Sequence, residues 1–297
     1  MRLRRSLLFV CGAEPAAMEG ARNSAADTLI LDLEDTVPPA HKPRARDLVT
    51  DFLRQPARPE LERAVRVNAL GTGWFSEDVA AIVAAGADAV VVPKVESPDD
   101  VRLVDRHVGD SERRAGRPDG SVKLLALVET PRGVLDSYPI AAASPRLDAL
   151  VIGHVDLSRA LGIKEAGAGE GTIFHARCQV VLAAKAGGKE AIDAVFMNVD
   201  DPEGLTAEAR QGVRLGFAGK LAIDERQVAL VHEAYRPSEG EVAYARRLVA
   251  AFEVAVAEGK GLLVFEGRAI DLPVVEAERA VLARARDFAS AGARRPG

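Results

Sequence analysis

The chain has 297 residues, of which 48% are hydrophobic and 28% charged, and its formal net charge is -5. That length can bury a large core, and the mild acidity supplies no general attraction for nucleic acid. Two cysteines without CxxC spacing, Cys11 and Cys178, argue against a zinc or disulfide framework, and no apolar run approaches the roughly 18 residues of a membrane span.

The first apolar run, in RRSLLFVCG, is too short for a secretory signal and reads as a strand, so a cytoplasmic location is expected. From there, β-rich runs alternate with helical segments. Strands are expected at 6–10 (SLLFV), 28–34 (TLILDLE), 64–68 (AVRVN), 89–94 (AVVVPK), 124–129 (LLALVE), 149–153 (ALVIG), 194–198 (AVFMN) and 220–224 (KLAID). The segments between and after them carry helical apolar spacing, as in PDDVRLVDRHV, and Pro43 suits an early position of the helix after the second strand. Strands apolar on both faces belong in a parallel sheet covered by helices. Eight β-α units, none followed by a glycine-rich phosphate fingerprint, point to an α/β fold. A closed (β/α)8 TIM barrel is favoured over a doubly wound open sheet. The barrel is expected over 1–237 and a C-terminal helical extension over 238–297. The extension starts with a long helix capped by Ser238, with Glu241 completing a capping box, and continues through a hairpin-like stretch to a final helix.

A β/α barrel builds its active site at the C-terminal ends of its strands. Those ends carry Asp32, Glu34 and Asp35, then Arg66 and Asn68, Lys94, Glu129, and His154 with Asp156. Met197, Asn198, Asp224 and Glu225 follow on the last two strands. The strand starts are expected to carry almost no charge. Glu129 and Asp156 close consecutive strands without a His or Cys pair beside them, which favours a hard cation, magnesium before zinc. Arg66 faces the same cavity and suits a bidentate grip on a substrate carboxylate, with Asp32, Glu34 and Lys94 as further substrate-binding candidates. A metal and an arginine around a small dicarboxylate-like ligand suit enolate chemistry. His154 either takes part or orients the metal acids from outside.

In order along the chain, RRSLLFVCG, LILDLEDTV, KPRAR, VRVNALGTGW, VVVPKVES, ALVETPRGV, GHVDLSRALG, DPEGL, RLGFAGKLAIDERQV, YRPS and GRAIDLPVVEAERA run from residue 4 to residue 280. In combination they resemble the citrate lyase beta-subunit-like family of CoA-ester lyases, within the phosphoenolpyruvate/pyruvate barrel superfamily. The resemblance implies a magnesium-dependent homotrimer that cleaves or condenses 3-hydroxyacyl-CoA-type thioesters. It places Glu129 and Asp156 on the metal ligands and Arg66 on the catalytic, substrate-carboxylate arginine. Asp271 falls on a catalytic acid/base that reaches into a neighbour's site, and Arg5, Lys42 and Arg46 lie near where CoA phosphates bind. Three departures stand out. Cys11 replaces a proline, Asp224 and Glu225 replace a His-Pro pair, and Val155 stands where an acid is frequent. The changed IDERQ segment keeps open a CoA-independent aldolase of 2-keto-3-deoxy acids. A non-catalytic subunit of a lyase complex is the remaining alternative.

Overall fold

The computed structural model describes residues 2–164 and 170–293, so the last four positions of the expected extension lie outside the described residues. In chain order the first half runs β1 (Ser6–Cys11), α1 (Pro15–Ala21), β2 (Thr28–Asp32), α2 (Lys42–Arg54), β3 (Glu62–Arg66), α3 (Phe75–Ala85), β4 (Ala89–Val92) and α4 (Pro98–Ala115). It continues with β5 (Lys123–Val128), α5 (Pro131–Leu135), α6 (Ser137–Ala141), β6 (Leu147–Ile152), α7 (His154–Leu161), α8 (Gly171–Ala186), β7 (Glu190–Asp193), α9 (Pro202–Leu215), β8 (Gly219–Ala222) and α10 (Glu225–Tyr235). β1 to β8 pair in sequence order, all parallel, and β8 closes on β1 with Ser6 opposite Lys220. The protein is a TIM barrel.

Closure gives every strand an inner and an outer face, and the two-residue side-chain period decides which residues meet. Leu7, Ile30, Ala64, Val91, Leu125, Val151, Ile192 and Leu221 fill the interior. Leu29, Leu31, Val65, Val90, Leu124 and Leu150 point outward and are buried under helices, which is why the strands read as continuous apolar runs. On β2 the inner face runs Thr28, Ile30, Asp32, and on β3 it runs Glu62, Ala64, Arg66. Each strand therefore carries polar groups at both ends of an apolar middle layer, about 13 Å apart at roughly 3.3 Å per residue.

The lower end corrects the expectation that strand starts lack charge. Arg4 is 2% exposed, and its Nε and Nη2 donate to the two oxygens of Glu62, each at 2.7 Å. Nη2 also donates to Asp148 at 2.9 Å, and Glu190 lies 3.5 Å from Nη1. One arginine thus joins β3, β6 and β7 at the base of the barrel. Gly219 opens β8 because a Cβ there would sit 1.8 Å from the Arg4 carbonyl oxygen.

The seventh strand also differs from expectation. It is Glu190–Asp193 rather than 194–198. Lys220 Nζ donates to the Ala194 carbonyl at 2.8 Å and Gln227 Nε2 to that of Phe196 at 2.9 Å, so side chains take carbonyls a ladder would use. Asp193 is fully buried and accepts from both Arg177 Nε and Nη2. Met197 and Asn198 are consequently exposed loop residues.

Contacts divide the chain into two compact units, Met1–Ala234 and Tyr235–Gly297. The second holds α11 (Glu239–Ala257), the antiparallel pair β9 (Leu263–Phe265) and β10 (Arg268–Ile270), and α12 (Leu272–Ala293), around a core of Leu248, Phe252, Ile270 and Val275. Ser238 caps α11: its Oγ accepts from Glu241 N–H at 3.2 Å while Glu241 Oε2 accepts from Ser238 N–H at 2.7 Å. Among the described residues no helix is long and apolar enough to cross a membrane.

Replacing Arg4 with methionine would leave the buried Glu62 and the half-buried Asp148 and Glu190 without their shared cation. Removing one partner of a buried pair costs about 3–5 kcal/mol, so the urea midpoint should fall accordingly. A loss below about 1 kcal/mol, the range of a surface pair, would mean the base plug contributes little.

Candidate active site

The upper ends of β2 and β3 place Asp32 and Arg66 side by side, paired directly in the ladder register. Arg66 Nε and Nη2 donate to the two Asp32 oxygens, each at 2.6 Å. Asp32 also accepts from Glu34 N–H, Thr36 N–H and Thr36 Oγ1. Burial opposes its ionisation, but the hydrogen bonds and charge of Arg66 outweigh that and hold the carboxyl below the usual range. The expected bidentate grip of Arg66 on a substrate therefore needs correction, because that edge of the guanidinium is committed to Asp32. Nη1 remains, 3.1 Å from Glu34 Oε2 and 3.5 Å from Asp35, with the Phe9 ring 4.9 Å from the guanidinium carbon.

Lys94 lies two residues beyond β4, and its Nζ donates to Glu34 Oε1 and lies 3.7 Å from Asp35. Burial raises the Glu34 carboxyl above its ordinary value against the opposing charges of Arg66 and Lys94. The Lys94 backbone N–H reaches the other side of the rim and donates to Glu129 Oε1 at 2.9 Å.

Glu129 directly follows β5 and is 2% exposed. It fits because the first residue after β6 is Gly153: a Cβ there would lie 2.6 Å from Glu129 Oε2. Asp156 sits not on the strand but in the first turn of α7, where the helix dipole favours an anion, and accepts from Arg159 at 2.6 Å. Burial, then the charges of Asp156 and Glu34, push the Glu129 carboxyl up to about 8. His154 is buried at the first position of α7.

With every acid ionised, Asp32, Glu34, Asp35, Glu129 and Asp156 face Arg66, Lys94, Arg159 and Lys42, a surplus of one negative charge. A buried carboxylate short of compensating charge beside a second acid fits a hard divalent cation completed by waters and substrate oxygens. Among the described residues no group of three or more His, Cys, Asp or Glu could hold a metal unaided.

The remaining expected residues scatter. Lys42 is buried, its Nζ donating to the carbonyls of Leu33 at 2.9 Å and Glu34 at 2.8 Å and lying over the Trp74 ring. Arg46 is held by Asp78 at 2.8 Å and Glu77 at 2.7 Å. Arg5 is a correction: it precedes β1, at the opposite end of the barrel, with Nε and Nη2 on Asp27 at 2.7 Å each. Asn68 donates to Asp78 at 2.6 Å, Asp224 pairs with Arg226 at 3.0 Å, and Glu225 accepts from Ala25 N–H at 3.3 Å. In the second unit, Asp271 follows β10, is exposed, and its carbonyl accepts from Val275 N–H. Sequence reasoning missed Phe9, Thr36 and Gly153. Only Phe9 left a signal, as an inward position of β1 by its period of two.

Parallel strands closed around an apolar core, with buried acids and an arginine at their carboxyl ends, define a TIM-barrel enzyme. The profile of the HpcH/HpaI aldolase/citrate lyase family matches residues 5–225, and the chain belongs to that family; it is a lyase. It is 39% identical over 284 residues to citrate lyase subunit beta of Escherichia coli (strain K12), covering 96% of this chain and 94% of that one. The L-malyl-CoA/beta-methylmalyl-CoA lyase of Rhodobacter capsulatus is 34% identical over 304 residues, covering 96% and 95%. The crystal structure of CitE from Mycobacterium tuberculosis in complex with magnesium, acetoacetate and coenzyme A superposes with a TM-score of 0.80 at 35% identity, covering 96% of this chain and all of that one.

The raised Glu129 carboxyl has a signed consequence for stability. Between the ordinary carboxyl value of 4.5 and about 8, the unfolded chain has lost this proton and the folded chain keeps it. Stability should therefore fall as pH rises through that window, by on the order of a few kcal/mol without divalent cation. Glu129→Gln should flatten this dependence and raise the melting temperature at pH 8 and above. An unchanged pH profile in the variant would contradict the shift.

Proposed function

We propose that the protein is a magnesium-dependent carbon–carbon lyase acting on a short 3-hydroxyacyl-CoA-type thioester. The substrate is malyl-, citramalyl- or citryl-CoA-like, and the products are a 2-oxo acid and an acyl-CoA. The observation carrying this reading is the under-compensated carboxylate pair, Glu129 and Asp156, across the rim from Arg66. The names of the relatives supply the thioester class, and magnesium and coenzyme A accompany CitE.

Glu129 and Asp156 would hold the cation, which, when bound, supplies a Lewis acid for the oxygens of a 2-hydroxy or 2-oxo acid. Arg66 Nη1 offers the substrate carboxylate a charged donor, while Asp32 fixes the plane of the guanidinium. The bond between the acyl α-carbon and the hydroxyl-bearing carbon would break as the hydroxyl proton passes to solvent: the hydroxyl carbon becomes the 2-oxo group, and the electron pair of the broken bond passes into the thioester as an enolate. A proton must then reach the enolate carbon. We assign that transfer to Asp271 of another copy of the chain, an exposed residue directly after β10. Lys42 and Arg46 would lie beside the CoA entrance.

The IDERQ departure does not oppose this reading. Asp224 is paired with Arg226, which compensates one of the two added acids, while the exposed Glu225 accepts from Ala25 N–H at 3.3 Å.

Calorimetric titration with acetyl-CoA in magnesium, with and without saturating oxaloacetate, tests the proposal. The expected result is micromolar acetyl-CoA binding that requires both magnesium and oxaloacetate, and that Glu129→Ala abolishes. Oxaloacetate binding without any acetyl-CoA binding would transfer the assignment to a CoA-independent aldolase.

A further inference from the structure

Lys94 touches both halves of the rim. Its backbone φ is 54°, in the left-handed region that residues with a Cβ adopt rarely. Such conformations persist where their surroundings over-determine them, and they concentrate at functional sites. Here the backbone N–H is aimed at Glu129 Oε1, 2.9 Å away, while the side chain reaches Glu34 on the far side.

What Glu34 does then depends on Lys94. Two nitrogens of Arg66 are taken by Asp32, and Nη1 is shared with Glu34 and Asp35. A substrate carboxylate must compete with Glu34 for that nitrogen. Glu34 is itself divided, with Oε1 on the Lys94 ammonium and Oε2 at 3.1 Å from Arg66. Without the ammonium, the whole Glu34 charge would fall on Nη1.

We propose that Lys94 is a positioning residue that draws Glu34 away from Arg66 and so keeps Nη1 available to a substrate anion. Its strained backbone independently fixes Glu129. The inference rests on the functional reading above, since it takes the anion to be a 2-oxo acid carboxylate. The two roles separate by chemistry: the side chain governs the acid, and the backbone N–H governs the cation carboxylate.

The test is calorimetry of the wild type, Lys94→Met, Lys94→Arg and Lys94→Gly, first with Mg2+ alone and then with oxaloacetate in saturating Mg2+. Lys94→Met should hold Mg2+ within roughly threefold of wild type, because the N–H to Glu129 survives and separate interactions are nearly additive. Its oxaloacetate affinity should fall about tenfold or more, the scale of a lost charge-assisted bond, with KM rising more than kcat falls. Lys94→Arg should recover most of that loss. Lys94→Gly, which relieves the backbone, should match Lys94→Met for oxaloacetate without melting lower. Unchanged oxaloacetate binding in Lys94→Met would overturn the proposal, as would parallel loss of Mg2+ and acid in that variant and in Lys94→Arg. If the wild type itself binds no oxaloacetate with Mg2+, the functional reading fails first. If the wild type binds and Lys94→Met binds equally, the role of Lys94 alone is refuted.

Discussion

The two hydrogen bonds from Arg66 to Asp32 determine how the rest of the rim is used. They join neighbouring strands in register, so the guanidinium is held by the sheet itself rather than by a loop. Charge-assisted pairs of this geometry are short and directional. Fixing two nitrogens leaves Nη1 facing Glu34 at 3.1 Å and Asp35 at 3.5 Å. An arginine placed only to bind substrate would expose a whole edge; this one exposes a corner.

The opposite side of the rim works by deficit. Glu129 is buried at the mouth of the barrel, where the Lys94 backbone N–H donates to it and the charges of Asp156 and Glu34 oppose its ionisation more than that of Arg66 favours it. Such a carboxylate resists ionisation, so a cation bound there would be linked to proton release. Gly153 makes this arrangement possible, because any larger residue would take the volume the carboxylate occupies. The base of the barrel shows a contrary arrangement, in which one buried arginine, Arg4, bonds Glu62 and Asp148 and lies 3.5 Å from Glu190.

Much of this was legible in the sequence because the code for a parallel barrel is simple. Eight apolar runs separated by helical spacing favour the closed sheet, and acids that terminate such runs fall on one rim. Legibility failed where side chains substitute for backbone. The apolar run at 194–198 has the composition of a strand, yet Lys220 and Gln227 occupy its carbonyls and end the ladder at Asp193. Arg5 could not be separated from a surface cation because its partner Asp27 is 22 residues away and its depth depends on closure of the barrel. Gly153 was also silent, since a steric requirement set by Glu129 leaves no periodicity and appears only when β5 and β6 are paired. The pairing of Arg66 with Asp32 was hidden for the same reason, because both were read as free groups at the ends of separate strands.

The account stands most directly on where a divalent cation binds. Crystals grown with Mn2+ in place of magnesium, measured at the manganese absorption edge, would locate it by anomalous scattering. The account predicts a strong peak on the rim between Glu129 and Asp156, absent in Glu129→Gln crystals. A peak elsewhere with that pair unoccupied, or a peak that persists undiminished in the variant, would contradict it.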